Sequence, residues 1–297
     1  MGNIIWELDF YSRPIVDEQE KKVWEVLICE SPLNTDSNID SLFRYAKFAK
    51  STEVNSIWLR EAIAEAIDKF GQTPQKIRFF RRQMNNMITK ACKDLGLAAQ
   101  PSRRTYYLNI WLQERMEDFY PNQPGFQATA IGSATVQFEA SKPKPLQEAL
   151  MGQKWAFVNL EASAFAEMGE WSIDFGEGFP LSIMDKKGVT APLEPTTPIG
   201  GIIIFSPRAF PLAAWISGLD LAFIRVEGTP PTQLILETAA GDSWILANLR
   251  DKNIQKEAQG FAQAKEKAQQ VHFLAVQSNP ESETFTGFWL LQEVNLS

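Results

Sequence analysis

The chain has 297 residues, 44% of them hydrophobic and 22% charged, a globular composition that excludes wholesale disorder and suggests two domains. A formal charge of −7 excludes a uniformly basic nucleic-acid coat, though not a local basic patch. Two cysteines (Cys29, Cys92) and one histidine (His272) exclude a Cys/His zinc site, a disulfide scaffold and, unless His272 is the base, a Ser-His or Cys-His enzyme.

Residues 4–11 (IIWELDFY) alternate Trp6, Leu8 and Phe10 with Glu7, Asp9 and Tyr11, the period of a strand. Pro14, Asp17 and Glu18 mark a turn, and 21–29 (KKVWEVLIC) returns as a second strand. LFRYAKFA (42–49) is a candidate third strand. A helix over 55–70 follows from Leu59, Ala62, Ile63, Ala66, Ile67 and Phe70 on one face, with Asn55 as cap and Gly71 as stop. KIRFF (76–80) is a strand. Residues 82–95 return to helical spacing through Met84, Met87, Ile88, Ala91 and Leu95, closed by Gly96. TYYLNIWL (105–112) is rich in β-branched and aromatic residues and is expected to be a strand, or a strand running into a helix.

The Pro- and Gly-punctuated stretch 121–145, with one possible strand at ATVQF, suggests a boundary. The expected organisation is a domain over 1–120, a linker over 121–152 and a second domain over 153–297. The first has the order β-β-β-α-β-α-β, that of ribonuclease-H-like folds by analogy only. In the second, strands are expected at 154–160, 201–206, 221–226, 233–238, 241–249, VHFLAVQ and GFWLLQE, with up to two more before 190 and helices over 208–218 and 255–270. The class is mixed: α/β in the first half, an α+β sheet domain in the second.

The strongest local signal is 76–104. It carries Lys76, Arg78, Arg81, Arg82, Lys90, Lys93, Arg103 and Arg104 against Asp94 alone, a local +7 that leaves −14 for the remainder. Such polarity steers an anionic partner. On a helix starting near Arg82, Asn86, Lys90 and Lys93 follow at i+4, i+8 and i+11, opposite the apolar stripe. Phe79 and Phe80 lie just upstream, and Tyr106 and Tyr107 just follow the Arg103–Arg104 pair. Cations beside rings suit single-stranded RNA, phosphates meeting the charges and bases the rings. The candidate RNA-binding residues are Arg78, Phe80, Arg81, Arg82, Asn86, Lys90, Lys93, Arg103 and Arg104. The bland alternative is a solvated helix face above two core phenylalanines.

Six stretches carry a resemblance: WELDFYSRPI (6–15), KIRFFRRQM (76–84), PSRRT…WLQER (101–115), SPRAFPLAAWISGL (206–219), HFLAVQSNPESE (272–283) and GFWLLQE (287–293). Together they resemble the RNA-binding translation activators of photosystem I, of the TAB type, in chloroplasts and cyanobacteria. The resemblance implies binding near the 5′ untranslated region of a message for a photosystem I reaction-centre subunit. It also implies a role in photosystem biogenesis, beside other translation or assembly factors. Plant and algal relatives would act in the chloroplast stroma. The opening MGNIIWELDF has neither a signal nor a transit pattern, so a cytoplasmic cyanobacterial member is expected. No membrane insertion is expected, because the apolar run 200–219 is cut by Pro207, Arg208 and Pro211 and falls short of the ~20 residues a span requires.

Two other classes stay open: a protein-interaction or assembly factor that does not touch RNA, and a metal-dependent nuclease. For the nuclease, Glu7 and Asp9 share a strand face and Glu61 or Glu65 could add a third acid, but the end of the fourth strand, RFFRRQ, is basic where a further acid is needed. The expectation is no catalytic residue, metal or cofactor, with Glu7 and Asp9 paired to Arg78, Arg81 or another cation. His272 reads as a structural histidine. Ser206 and Arg208 open a helix, either as a plain start or as a phosphate seat.

Overall fold

A computed structural model describes residues 4–128, 141–146, 154–187 and 192–294. Contacts divide them into two compact units: 4–31 with 38–128, and 32–37 with those described from 141 to 294.

The first unit runs β1 (Ile5–Val16), β2 (Lys22–Glu30), β3 (Arg44–Ala49), α1 (Ser56–Phe70), β4 (Lys76–Phe79), α2 (Asn85–Lys93), β5 (Ala98–Pro101) and α3 (Tyr106–Glu114). The sheet order is β3-β2-β1-β4-β5. β1–β2 and β2–β3 are antiparallel; β1–β4 and β4–β5 are parallel. Helix α1 begins and ends where its sequence says. The Asn55 side chain accepts the N–H groups of Ile57 and Trp58, and Gly71 takes the left-handed conformation at φ 76°.

Two expectations fail in detail. The aromatic run 105–112 is helix α3, and the strand that closes the sheet is the short edge piece β5, AAQP, with no alternation to announce it. Tertiary packing overrides strand propensity here: Tyr106, Tyr107, Leu108, Ile110 and Trp111 are all buried against the sheet and its loops. The helix expected over 82–95 is a 3-10 turn at Arg82–Met84 followed by α2. The candidate strand ATVQF falls outside the described residues.

Both sheet faces are covered. Trp6, Leu8 and Phe10 form one core with Leu59, Ala62, Ile63 and Ala66 of α1 and Ile88, Ala91 and Cys92 of α2. Glu7 and Asp9 alternate to the opposite face and are buried there too. Pro14 sits where the β1–β2 register shifts, a bulge that spares the sheet the N–H proline lacks. Beyond it, residues 123–127 run along β1: Val16 N–H donates to the Gly125 carbonyl and Gln127 N–H to that of Pro14, both at 2.9 Å.

The second unit contains β6 (Lys144–Pro145), β7 (Lys154–Glu161), β8 (Ile173–Glu177), β9 (Pro198–Phe205), α4 (Ala209–Gly218), β10 (Leu221–Glu227), β11 (Gln233–Thr238), β12 (Ser243–Asn248), α5 (Lys252–Lys267), β13 (Val271–Gln277) and β14 (Phe285–Gln292). One sheet has the order β7-β9-β13-β14-β8 and the other β10-β11-β12-β6. Helix α5 starts three residues earlier than its apolar period suggested, because Asp251 caps the N–H groups of Asn253 and Ile254. The core between sheet and helices joins Ile202, Ile204, Leu274 and Val276 to Leu212, Ile216, Ala258 and Phe261. At Gly201 the parallel pair β9–β13 leaves no room for a side chain: a Cβ would lie 2.2–2.3 Å from the Phe273 ring.

Candidate nucleic-acid interface

The basic segment separates into an inner and an outer set. Arg78, on β4, is 1% exposed, Phe80 4% and Arg104 2%. Phe79, Tyr106 and Tyr107 are buried as well. Tyr107 shows what these rings do: its hydroxyl donates to the Ile39 carbonyl at 2.8 Å and accepts from Arg44 Nε at 2.9 Å. None of these rings offers a face to a base.

Arg81 is nearly buried and spans to Asp9, its Nε 2.6 Å from Oδ1, with the guanidinium 4.0 Å from the Tyr11 ring centroid. Asp9 Oδ2 takes Arg13 Nη1 at 2.9 Å, and Arg13 Nε reaches Glu25 Oε2 at 3.1 Å. Glu25 is closed off by Arg115 and by the Tyr120 hydroxyl, which donates to it. Burial alone would raise the Asp9 carboxyl, but Arg81 and Arg13 outweigh it and hold the group below its ordinary value. The expectation that Asp9 pairs with a cation is met by Arg81 and, from an unanticipated quarter, by Arg13. Glu7 also takes hydrogen bonds from the chain around it. Its Oε2 accepts the Leu108 N–H at 2.7 Å in the first turn of α3, and its Oε1 accepts the Ser31 hydroxyl at 2.5 Å. A carboxylate on a strand thus caps a helix laid across it.

The acids considered for a nuclease do not converge. Helix α1 packs on the Trp6/Leu8/Phe10 face, and its Glu65 binds Lys47 at 2.7 Å and Lys69 at 2.9 Å, which lowers its carboxyl to about 2. Among the described residues no group of three His, Cys, Asp or Glu is arranged to hold a metal.

The outer set is the polar side of the 82–93 segment. Arg82, Asn86, Lys90 and Lys93 are exposed, together with Gln83 and Thr89, while Met84, Ile88, Ala91 and Cys92 on the reverse are buried. Lys90 reaches only Asp94, at 3.4 Å across exposed side chains, a pair of little net strength. Arg103 is half-buried. The arrangement is a short row of cations and amides on a helical segment whose other face is anchored in the core.

Sequence reasoning missed Arg13, Glu25, Arg115 and Tyr120. Asp9 and Arg13, four apart on one strand, share a face, and that spacing was the available signal. In the second unit His272 is structural, as expected: Nε2 accepts the Ile224 N–H and Nδ1 meets the Gln270 carbonyl, both at 2.8 Å. Burial, with Lys265 nearby, pushes its pKa well below the usual value. The Ser206 hydroxyl accepts the Arg208 N–H at 3.1 Å just ahead of α4.

The described residues thus form two mixed units of strands and helices, the first of which carries a cationic helix face. Residues 5–115 match the family described as RNA-binding protein Tab2/Atab2 N terminal, and residues 133–292 its C-terminal domain. The chain belongs to this RNA-binding family, and RNA is the partner that membership gives it. It is similar to the protein TAB2 homolog, chloroplastic, of Zea mays, 37% identical over 295 residues, covering 97% of this chain and 71% of that one. It is equally similar to the protein of the same description from Arabidopsis thaliana, 38% identical over 291 residues, covering 96% and 74%. No helix among the described residues is long and apolar enough to cross a membrane.

Proposed function

We propose that the protein is a non-catalytic RNA-binding factor that holds a single-stranded stretch of a 5′ untranslated region against the outer face of α2. The message is that of a photosystem I reaction-centre subunit, and translation of that message supports photosystem assembly. The observation that carries the RNA contact is the exposed row Arg82, Asn86, Lys90 and Lys93 backed by a buried apolar stripe. The message and its role are supported by the family and by relatives named chloroplastic. The non-catalytic reading is supported by Asp9, whose two oxygens face guanidinium groups instead of an open position.

The test replaces Arg82, Lys90 and Lys93 together by Gln, which keeps helix propensity and touches no core position. Stability should stay within ~0.5 kcal/mol per site. Affinity for single-stranded RNA should fall, and the slope of log K against log salt should shrink by roughly two, three contacts at ~0.7 each. Unchanged binding would move the contact elsewhere. Crosslinking in cells followed by sequencing should enrich a photosystem I message; a wild-type protein that binds no RNA would favour a protein-docking role. Incubation with labelled RNA or an RNA–DNA hybrid and Mg²⁺ or Mn²⁺ should give no cleavage, and cleavage by the purified wild type would overturn the non-catalytic reading.

A further inference from the structure

The rings adjoining the basic segment are all buried, so base stacking has to be sought elsewhere. Among the described residues the aromatic rings that stand exposed are Phe48, 40% exposed, and Phe210, 60% exposed. They differ in setting. Phe48 lines a groove of about 460 Å³ with Ile15, Val16 and Val23, and the charged residues at its rim are Asp17 and Glu18, which repel a phosphate chain. Phe210 follows Arg208 by two residues, and Arg208 is exposed with it.

The Phe210 platform is rigid. It lies in the first turn of α4, between Pro207 and Pro211, whose rings limit the backbone. The chain ahead of it is tied down twice: Ser206 N–H donates to the Gln277 carbonyl at 3.0 Å, and the Ser206 hydroxyl holds the Arg208 N–H. The Phe175 ring meets Phe210 edge to face, centroids 5.1 Å apart at 67°. That contact fixes the ring and uses only part of its surface. An exposed, pre-ordered ring costs solvation in the free protein and little entropy on binding, the economy of a stacking platform. Lys154, in register opposite Phe205, sets a second exposed cation at the same end of the sheet.

We propose that Phe210 and Arg208 form a second RNA contact, on the C-terminal unit: one unpaired base stacks on Phe210 and the adjoining phosphate meets Arg208. This rests on the RNA-binding reading and adds to it a site separate from α2 with different physics. Glu281 and Glu283, exposed on the turn that follows Gln277, temper the local charge. Stacking, not charge, therefore carries the affinity here.

The experiment measures binding of a labelled, unstructured single-stranded RNA to the full chain by anisotropy over a range of salt. Phe210→Ala should weaken binding about five- to a hundred-fold, the range for loss of one base–aromatic stack, and leave the salt slope unchanged. Phe210→Trp should restore it. Arg208→Gln should reduce the slope by ~0.7, one phosphate on a single strand. Binding of a fully paired RNA duplex should be indifferent to Phe210. Because Phe210 is exposed, Phe210→Ala should keep the wild-type circular dichroism and melting curve; a variant that melts early is replaced by Phe210→Gln for the same comparison. Wild-type affinity in Phe210→Ala, while the Arg82/Lys90/Lys93 variant binds poorly, overturns this site and leaves the α2 interface standing. Loss in Phe210→Ala with no loss in that triple variant sustains this site and overturns the α2 interface. A wild-type chain that binds no RNA overturns both.

Discussion

Replacing Asp9 by Asn removes a negative charge from between two guanidinium groups while keeping the shape of the side chain. In the folded protein the carboxylate is fully buried, with Arg81 Nε at 2.6 Å and Arg13 Nη1 at 2.9 Å. At an effective dielectric constant of ~20, each charge pair at ~4 Å is worth roughly 4 kcal/mol. Desolvation of the carboxylate offsets several kcal/mol of that in the wild type. The Asn oxygen still accepts from one guanidinium while its NH₂ faces the other, donor against donor; Arg13 keeps Glu25, but Arg81 loses its carboxylate. The expected loss is ~3–5 kcal/mol, as for breaking a buried pair by removing one partner. For a unit of this size that is a fall in melting temperature of roughly 10–20 °C. Thermal and urea unfolding of the full chain measures the loss, and hydrogen exchange in peptides over β1 and β2 locates it. The pH dependence provides an independent reading. Asp9 titrates below its ordinary value when folded, so its stabilisation is complete above pH ~4 and is lost as pH falls through the folded-state pKa. The Asn variant should lack that share of the acid-side slope. A loss below ~1 kcal/mol, or an unchanged acid limb, would refute the assignment of this cluster as the ionic core of the first unit.

Gly201→Ala should destabilise the second unit by ~1–3 kcal/mol or more, because its Cβ enters the space of the Phe273 ring, itself stacked on Phe288 at 5.1 Å; a urea midpoint within error of wild type would show that the ring gives way freely. His272 is the chain's one histidine and stays neutral when folded. The unfolded chain takes up a proton at ~6.5 and the folded chain does not, so stability should fall by up to ~1.4 kcal/mol per unit as pH drops below ~6.5. Urea midpoints at several pH values between neutrality and pH ~5 check this, and a flat profile across that window would contradict the buried neutral imidazole.

Where the sequence was legible, one physical signal dominated. Helix α1 shows a full apolar stripe with a cap at Asn55 and a stop at Gly71, and it stands where expected. The outer face of α2 was legible for the same reason: period separates Arg82, Asn86, Lys90 and Lys93 from Ile88 and Ala91 whatever the exact helix start. The misreadings arise where neighbours decide. Helix α3 carries strand-like residues because it is buried against the sheet and because Glu7, a hundred residues earlier, supplies its first turn with an acceptor. Arg78, Phe80 and Arg104 belong to the same charge run as Arg82, but charge does not reveal which side of a strand or loop a residue takes. Phe210 was hidden inside an apolar stretch whose composition suggests burial, and its exposure emerges only from the packing of α4 against Phe175.

The layout of the ionic layer bears on how the first unit is made. All five strands of its sheet are complete by Pro101, yet Glu25 awaits Arg115 and Tyr120, and the bulge at Pro14 awaits Gly125 and Gln127. A nascent chain that has emerged only to residue 101 carries every strand but leaves the Arg13–Glu25 pair roofless. The polar layer of this unit is therefore complete only with the next 26 residues, and not with the last strand. A fragment ending at residue 115, where the family match to the N-terminal part stops, would contain the sheet and the cationic helix and still lack the closure. Synthesis in the cell and dissection in the laboratory meet the same requirement: this polar layer is covered by chain that lies beyond the last strand.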